Sequence, residues 1–195
     1  MKLSKAVLHV AGAAALFALT VSLEPAGTFA AGHQPVTAFD NVKYYERWTN
    51  RGTKHADTTG QYEFTPAGQT NLDAWTQMVT LIEYRNVSTG DGLAKTANGV
   101  IDAYKAAGGK ILRTNSVPRT SSKAAEYFMA AILPAPHYLE AAFTRLRMYG
   151  GIGTAIVYSH RFYGKNSAGE LGAWVKSNGP ATEQTLMRWD GEPKE

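Results

Sequence analysis

Residues 125–163 are a near-continuous succession of alternating segments. "AEYFMAAIL" is followed by "PAPH", a second run from Leu139 to Tyr149, the cluster "GGIG", and a third run from Thr154 to Tyr163. Successive side chains of a strand point to opposite faces, and connections this short leave antiparallel pairing as the way to fold such runs together. Gly150, Gly151 and Gly153 permit the positive φ values of a tight hairpin turn. A two-residue and a four-residue loop both fit that cluster. The block predicts an antiparallel sheet.

Upstream, "QYEFTP", "VTLIEYR" and the stretch from Lys110 in "KILRTNSVPR" carry the same signature and predict three more strands. Between them, "NLDAWTQM" places Leu72, Trp75 and Met78 at helical spacing behind Asn71 as N-cap. "TGDGLAKTANGVIDAYKAAGG" puts Leu93, Ala97, Val100, Ile101 and Tyr104 on one helical face, with Gly108 and Gly109 as the stop. A last amphipathic segment runs from Ala168 to Trp189, interrupted at Asn178–Pro180. Trp75 and Trp174 share helical faces with apolar neighbours and are expected to pack on the sheet. The predicted fold class is α+β: an antiparallel twisted sheet of about six strands with two or three helices packed on one face.

The N-terminus speaks to the compartment. Lys2 and Lys5 precede an uncharged apolar run from Ala6 to Leu23, then "EPAG" and the small residues Thr28 and Ala30. That is the pattern of a cleaved secretory signal over residues 1–30; its rival, an uncleaved anchor, would need the run to span a bilayer. Residues 31–60 are polar apart from Tyr44, Tyr45 and Trp48 and predict a flexible tether. A single α+β domain is expected over 61–190, with a tail at 191–195. Cleavage removes two lysines and one glutamate, moving the formal charge from +4 to +3. So mild an excess argues against nucleic acid as a partner. The chain has no cysteine, which excludes thiol nucleophiles, thiolate metal sites and a lipid-modified cysteine. The expected address is periplasmic or secreted, with no integral membrane span after cleavage.

The order of elements over 61–190, with "YEFTPAG" closing a strand before a Trp-bearing helix and "MVTLIEYR" following it, resembles the PsbP-like fold of small exported proteins. The resemblance implies a non-catalytic accessory or binding role. It carries no binding residues with it.

Chemistry is sparse. His33, His55, His137 and His160 are widely separated, so no metal and no cofactor are expected. Ser159 precedes His160 directly, but adjacent strand residues point to opposite faces, and no G-x-S-x-G elbow occurs. Glu63, Glu83 and Glu140 are carboxylates that nothing in the sequence brings together as a glycosidase pair. In the hairpin, Phe143, Arg145, Arg147 and Tyr149 share one face while Leu146 and Met148 take the other. Turning Leu146 and Met148 toward the helices directs the arginines outward. Those four residues with His160 then form either a solvated sheet face or a docking patch for an anionic or aromatic partner. The leading function reading is an exported binding or accessory protein of a bacterial envelope, with a protein or small ligand as partner. The alternatives are a hydrolase using His160 with Glu83 or Glu140, and a subunit of an envelope assembly docking through Tyr44–Trp48. The oligomeric state is not readable from the sequence.

Overall fold

The computed structural model of the protein describes residues 36–51 and 59–190. The expected signal segment, residues 31–35 and the tail at 191–195 lie outside them. β1 (Val36–Phe39), β2 (Val42–Asn50), β3 (Thr59–Pro66) and β4 (Gln77–Tyr84) precede α1 (Gly90–Ala106). β5 (Lys110–Val117), β6 (Glu126–Pro134), β7 (Tyr138–Tyr149), β8 (Ile152–Tyr163) and α2 (Ser167–Arg188) follow. All eight strands form one sheet in the order β1-β2-β3-β4-β8-β7-β6-β5, each pair antiparallel. It is two meanders of four strands. α1 carries the chain to the far edge, and the second meander returns until β8 pairs with β4.

The expectation of about six strands with helices on one face is therefore corrected in three respects. First, the segment read as a tether supplies β1 and β2. Asp40 and Asn41 take φ of 49° and 63° in the turn where Phe39 pairs with Val42, the geometry of a type I′ hairpin. A bulge between Glu46 and Trp48 breaks the alternation of β2 and hides it from pattern reading. Second, "NLDAWTQM" forms no helix. Asn71 Oδ1 accepts from Asp73 N at 2.9 Å, and Gln69 Oε1 accepts from Thr76 N at 2.6 Å and Gln77 N at 3.1 Å. Those side chains fix a turn in place of a helical start.

Third, the two helices pack on opposite faces. Leu93, Ala97, Val100 and Tyr104 of α1 meet Met129, Ala131, Ala142, Leu146, Ala155 and Val157. Leu171 and Leu186 of α2 meet the alternate residues Phe128, Ala130, Ala141, Phe143, Ile156 and Tyr158. The physical reason is in the sequence of β6, β7 and β8: "FMAAIL", "AAF" and "AIVY" are apolar on both faces, and a strand apolar on both faces is buried on both. α1 is capped by Thr89, whose Oγ1 accepts from Gly92 N at 3.1 Å. α2 runs unbroken through Pro180, where a break was expected. The β7–β8 register pairs Tyr149 with Ile152, which selects the two-residue loop, with Gly150 and Gly151 at φ 53° and 84°.

Candidate functional site

The five hairpin residues singled out by sequence do lie on one face, and α2 covers most of it. Phe143 and Arg145 are buried, each 2 % exposed. The Arg145 guanidinium uses all three nitrogens. Nε donates to Glu126 Oε2 at 2.7 Å, Nη2 pairs with the same oxygen at 2.6 Å, and Nη1 donates to the carbonyls of Leu186 at 3.0 Å and Trp189 at 2.7 Å. Leu186 lies in the last turn of α2 and Trp189 is its C-cap. The Leu186 carbonyl otherwise accepts only a long 3.3 Å bond from Trp189 N, so Arg145 supplies the end of the helix with the donors it lacks. Lys123 reaches the other oxygen of Glu126 at 2.6 Å. Burial opposes ionisation of Glu126, but the bonds from Lys123 and Arg145 outweigh it and hold the carboxyl below its ordinary range. The outward-facing Arg145 of the sequence reading is overturned: the face it points to is the seat of α2.

Tyr149 stays at the surface, whereas Arg147 is largely buried, its side chain 11 % exposed with the guanidinium 5.0 Å over the Tyr149 ring and 3.1 Å from an exposed Asp190 carboxylate. His160 stacks on Phe162 at 4.6 Å and meets a tilted Trp174 ring at 4.6 Å, and its Nδ1 is buried without a hydrogen-bond partner. Burial pushes the imidazole pKa down. The carboxylates considered for it are elsewhere. Glu140 pairs across with Arg161 and so lies on the opposite face, since its neighbour Ala141 is the residue facing His160. Glu83 shares His160's face, but Gln77 is the residue opposite His160 and Glu83 is six residues further along β4, about 20 Å away.

The face occupied by α1 holds what the sequence did not reveal. Arg161 Nε donates to Glu140 Oε2 at 2.9 Å, and the guanidinium lies 3.7 Å over the Trp75 ring and 4.0 Å over Tyr138. Trp75 is held there by its carbonyl, which accepts from Tyr163 Oη at 2.7 Å, and by Thr76 O accepting from Arg161 N at 2.9 Å. Glu140 Oε1, Ser159 Oγ and Thr80 Oγ1 are buried on the same face without hydrogen-bond partners. Burial pushes the Glu140 carboxyl up, against the pull of Arg161 and of the neighbouring Ser159 hydroxyl. Glu63 lies on this face too, opposite Thr80, and burial raises it while Gln61 and Arg161 offset part of the rise. Glu63 and Glu140 are three strand spacings apart and offset by four residues along the strands, about 19 Å at the backbone. Glu140 is 0 % exposed and committed to Arg161. This is a buried charge cluster rather than an acid–base pair open to substrate.

Beyond that cluster the same face is open among the described residues. Neither helix packs against β2 or β3 there. Trp48, 42 % exposed, stands directly opposite Glu63, whose Oε1 accepts from Gln61 Nε2 at 2.9 Å. Arg47 lies 5.6 Å over the Tyr45 ring, its Nε donating to Thr65 Oγ1 at 3.0 Å. Aromatic, basic, acidic and amide groups thus line one surface. Among the described residues no group of three or more His, Asp or Glu is placed to hold a metal ion. No helix there is long and apolar enough to cross a membrane. No protein-family model matches the chain, and no curated protein matches it either.

Proposed function

We propose that the chain is an exported, non-catalytic binding or accessory protein of a bacterial envelope, acting through the helix-free face of β2 and β3. The observation that carries this reading is Trp48, a large apolar side chain left 42 % exposed beside Glu63, on a part of the sheet that neither helix of the described residues covers. Aromatic side chains ringed by polar groups are what binding surfaces concentrate. Tyr45 and Arg47 extend the surface. The Lys2/Lys5 start, the apolar run and the small residues Thr28 and Ala30 support export. The subunit reading uses this same aromatic segment, with an assembly as its partner.

The test joins both parts. The full chain is produced in a bacterium with a photo-crosslinking residue at Trp48 or, as control, at the exposed Lys176 of α2. The expected result is a mature chain beginning near Ala31 and an envelope adduct from position 48 alone. A chain that keeps residues 1–30, or crosslinks that are equal at both positions, contradicts the reading.

A further inference from the structure

The far edge of the sheet is unlike the rest of the molecule. Among the described residues β5 pairs only with β6, and seven of its eight residues are exposed. Leu112 and Val117 are 38 % and 46 % exposed. A bulge between Ile111 and Arg113 disturbs its first half; from Thr114 to Val117 the pairing is regular. Such an edge presents a row of unpaired backbone donors and acceptors, and an extended chain can add to it as a further strand.

Beside the edge runs a groove of about 420 Å³. Ala97 and Ile101 of α1 form one wall, Tyr127 and Met129 of β6 the floor, and the short side chains of Thr114 and Ser116 leave the β5 side low. A strand added along β5 sends every second side chain toward this groove. The charge is one-sided. Between Asp102 and Glu126 the chain has Lys105, Lys110, Arg113, Arg119 and Lys123 and no acidic residue. Arg113 is held by Glu183 at 3.1 Å and Lys123 by Glu126 at 2.6 Å, whereas Lys105, Lys110 and Arg119 make no ion pair among the described residues. The acids nearby are already engaged, Glu183 with Arg113 and Asn115 and Glu126 with Arg145 and Lys123. Asp102 on α1 is the exception.

We propose that β5 is a docking edge for an extended acidic segment of a partner protein, which pairs by backbone with Thr114–Val117, places alternate side chains in the α1–β5 groove, and sets its carboxylates against Lys110 and Arg119. This site is separate from the open face of β2 and β3, at the other end of the sheet, and does not depend on it.

The experiment is a selection of phage-displayed short random peptides on the full chain, followed by amide hydrogen exchange with the enriched peptides. Acidic, proline-poor peptides of alternating pattern should be enriched, and should protect the amides of Thr114–Val117. The double variant Lys110→Glu/Arg119→Glu, whose side chains are exposed and leave the fold intact by circular dichroism, should bind them about tenfold or more weakly and favour basic peptides instead. The proposal is overturned by the absence of any enrichment, by protection confined to other strands, by undiminished binding to the charge-reversed variant, or by sedimentation showing the edge already buried against a second copy of the chain.

Discussion

Two buried arginine–glutamate pairs lie on neighbouring strands and opposite faces of the sheet, and they are built differently. At Arg145–Glu126 every nitrogen of the guanidinium has a partner, both carboxylate oxygens are approached by cations, and the pair is bolted to the end of α2. At Arg161–Glu140 a single Nε–Oε2 bond joins the partners, Glu140 Oε1 has no hydrogen bond, and the guanidinium is held mainly between the rings of Trp75 and Tyr138. Their carboxyls are displaced in opposite directions, Glu126 down and Glu140 up. A buried ion pair stabilises only when its remaining polar atoms are also satisfied. The first pair comes nearer to that condition, because Lys123 neutralises Glu126 Oε1 at 2.6 Å even though that oxygen accepts no hydrogen bond, and it acts as a clamp. The second has no cation at Glu140 Oε1 and is stabilised by stacking.

The largest effect should come from breaking the clamp. Arg145→Met strands the Glu126 carboxylate and releases the Leu186 and Trp189 carbonyls, so a loss of about 3–5 kcal/mol in urea unfolding is expected. A loss below about 1 kcal/mol would mean the helix end holds itself. Trp75→Ala removes the lid of the second pair and should cost a comparable amount, about 3–5 kcal/mol, with the burial of a large aromatic as its cause. Both differ from the outcome for Arg147→Gln: its side chain is 11 % exposed, but its ion-pair partner Asp190 is 86 % exposed, so a loss of about 1 kcal/mol is expected there.

Protonation sharpens the contrast. Glu126 has a folded pKa below its ordinary 4.5, so its contribution is present above that value and is lost as pH falls through the folded pKa. Glu140 has a folded pKa above 4.5, so its contribution is complete below 4.5 and declines as pH rises through the folded pKa. Glu126→Gln should therefore flatten the acid side of the stability profile, and Glu140→Gln should remove a loss on the way to neutral pH. Profiles of equal shape for the two variants would refute the distinction.

How far the sequence discloses this depends on the range of the signal. Alternation in "AEYFMAAIL" and in the hairpin arms is local, and it locates β6, β7 and β8 with the correct division of Phe143, Arg145 and Arg147 from Leu146 and Met148. Which of those two sets meets a helix is a tertiary matter, and both do. The apolar residues on both faces of β6 held that information, while the alternating basic residues of β7 suggested a wet face. Asp40–Asn41 was a hairpin signal passed over because the bulge at Arg47 disguised the strand after it. The Arg161–Glu140 pair had no local mark at all, since cross-strand partners are set by register and Trp75 reaches the guanidinium from a loop.

The most direct test is a pair of double-mutant cycles in urea at neutral pH, Arg145→Met with Glu126→Leu and Arg161→Met with Glu140→Leu. The account predicts that the two clamp changes are strongly coupled, exceeding the coupling of the second pair by about 1 kcal/mol or more. Equal couplings, or a larger one at Arg161–Glu140, would contradict it.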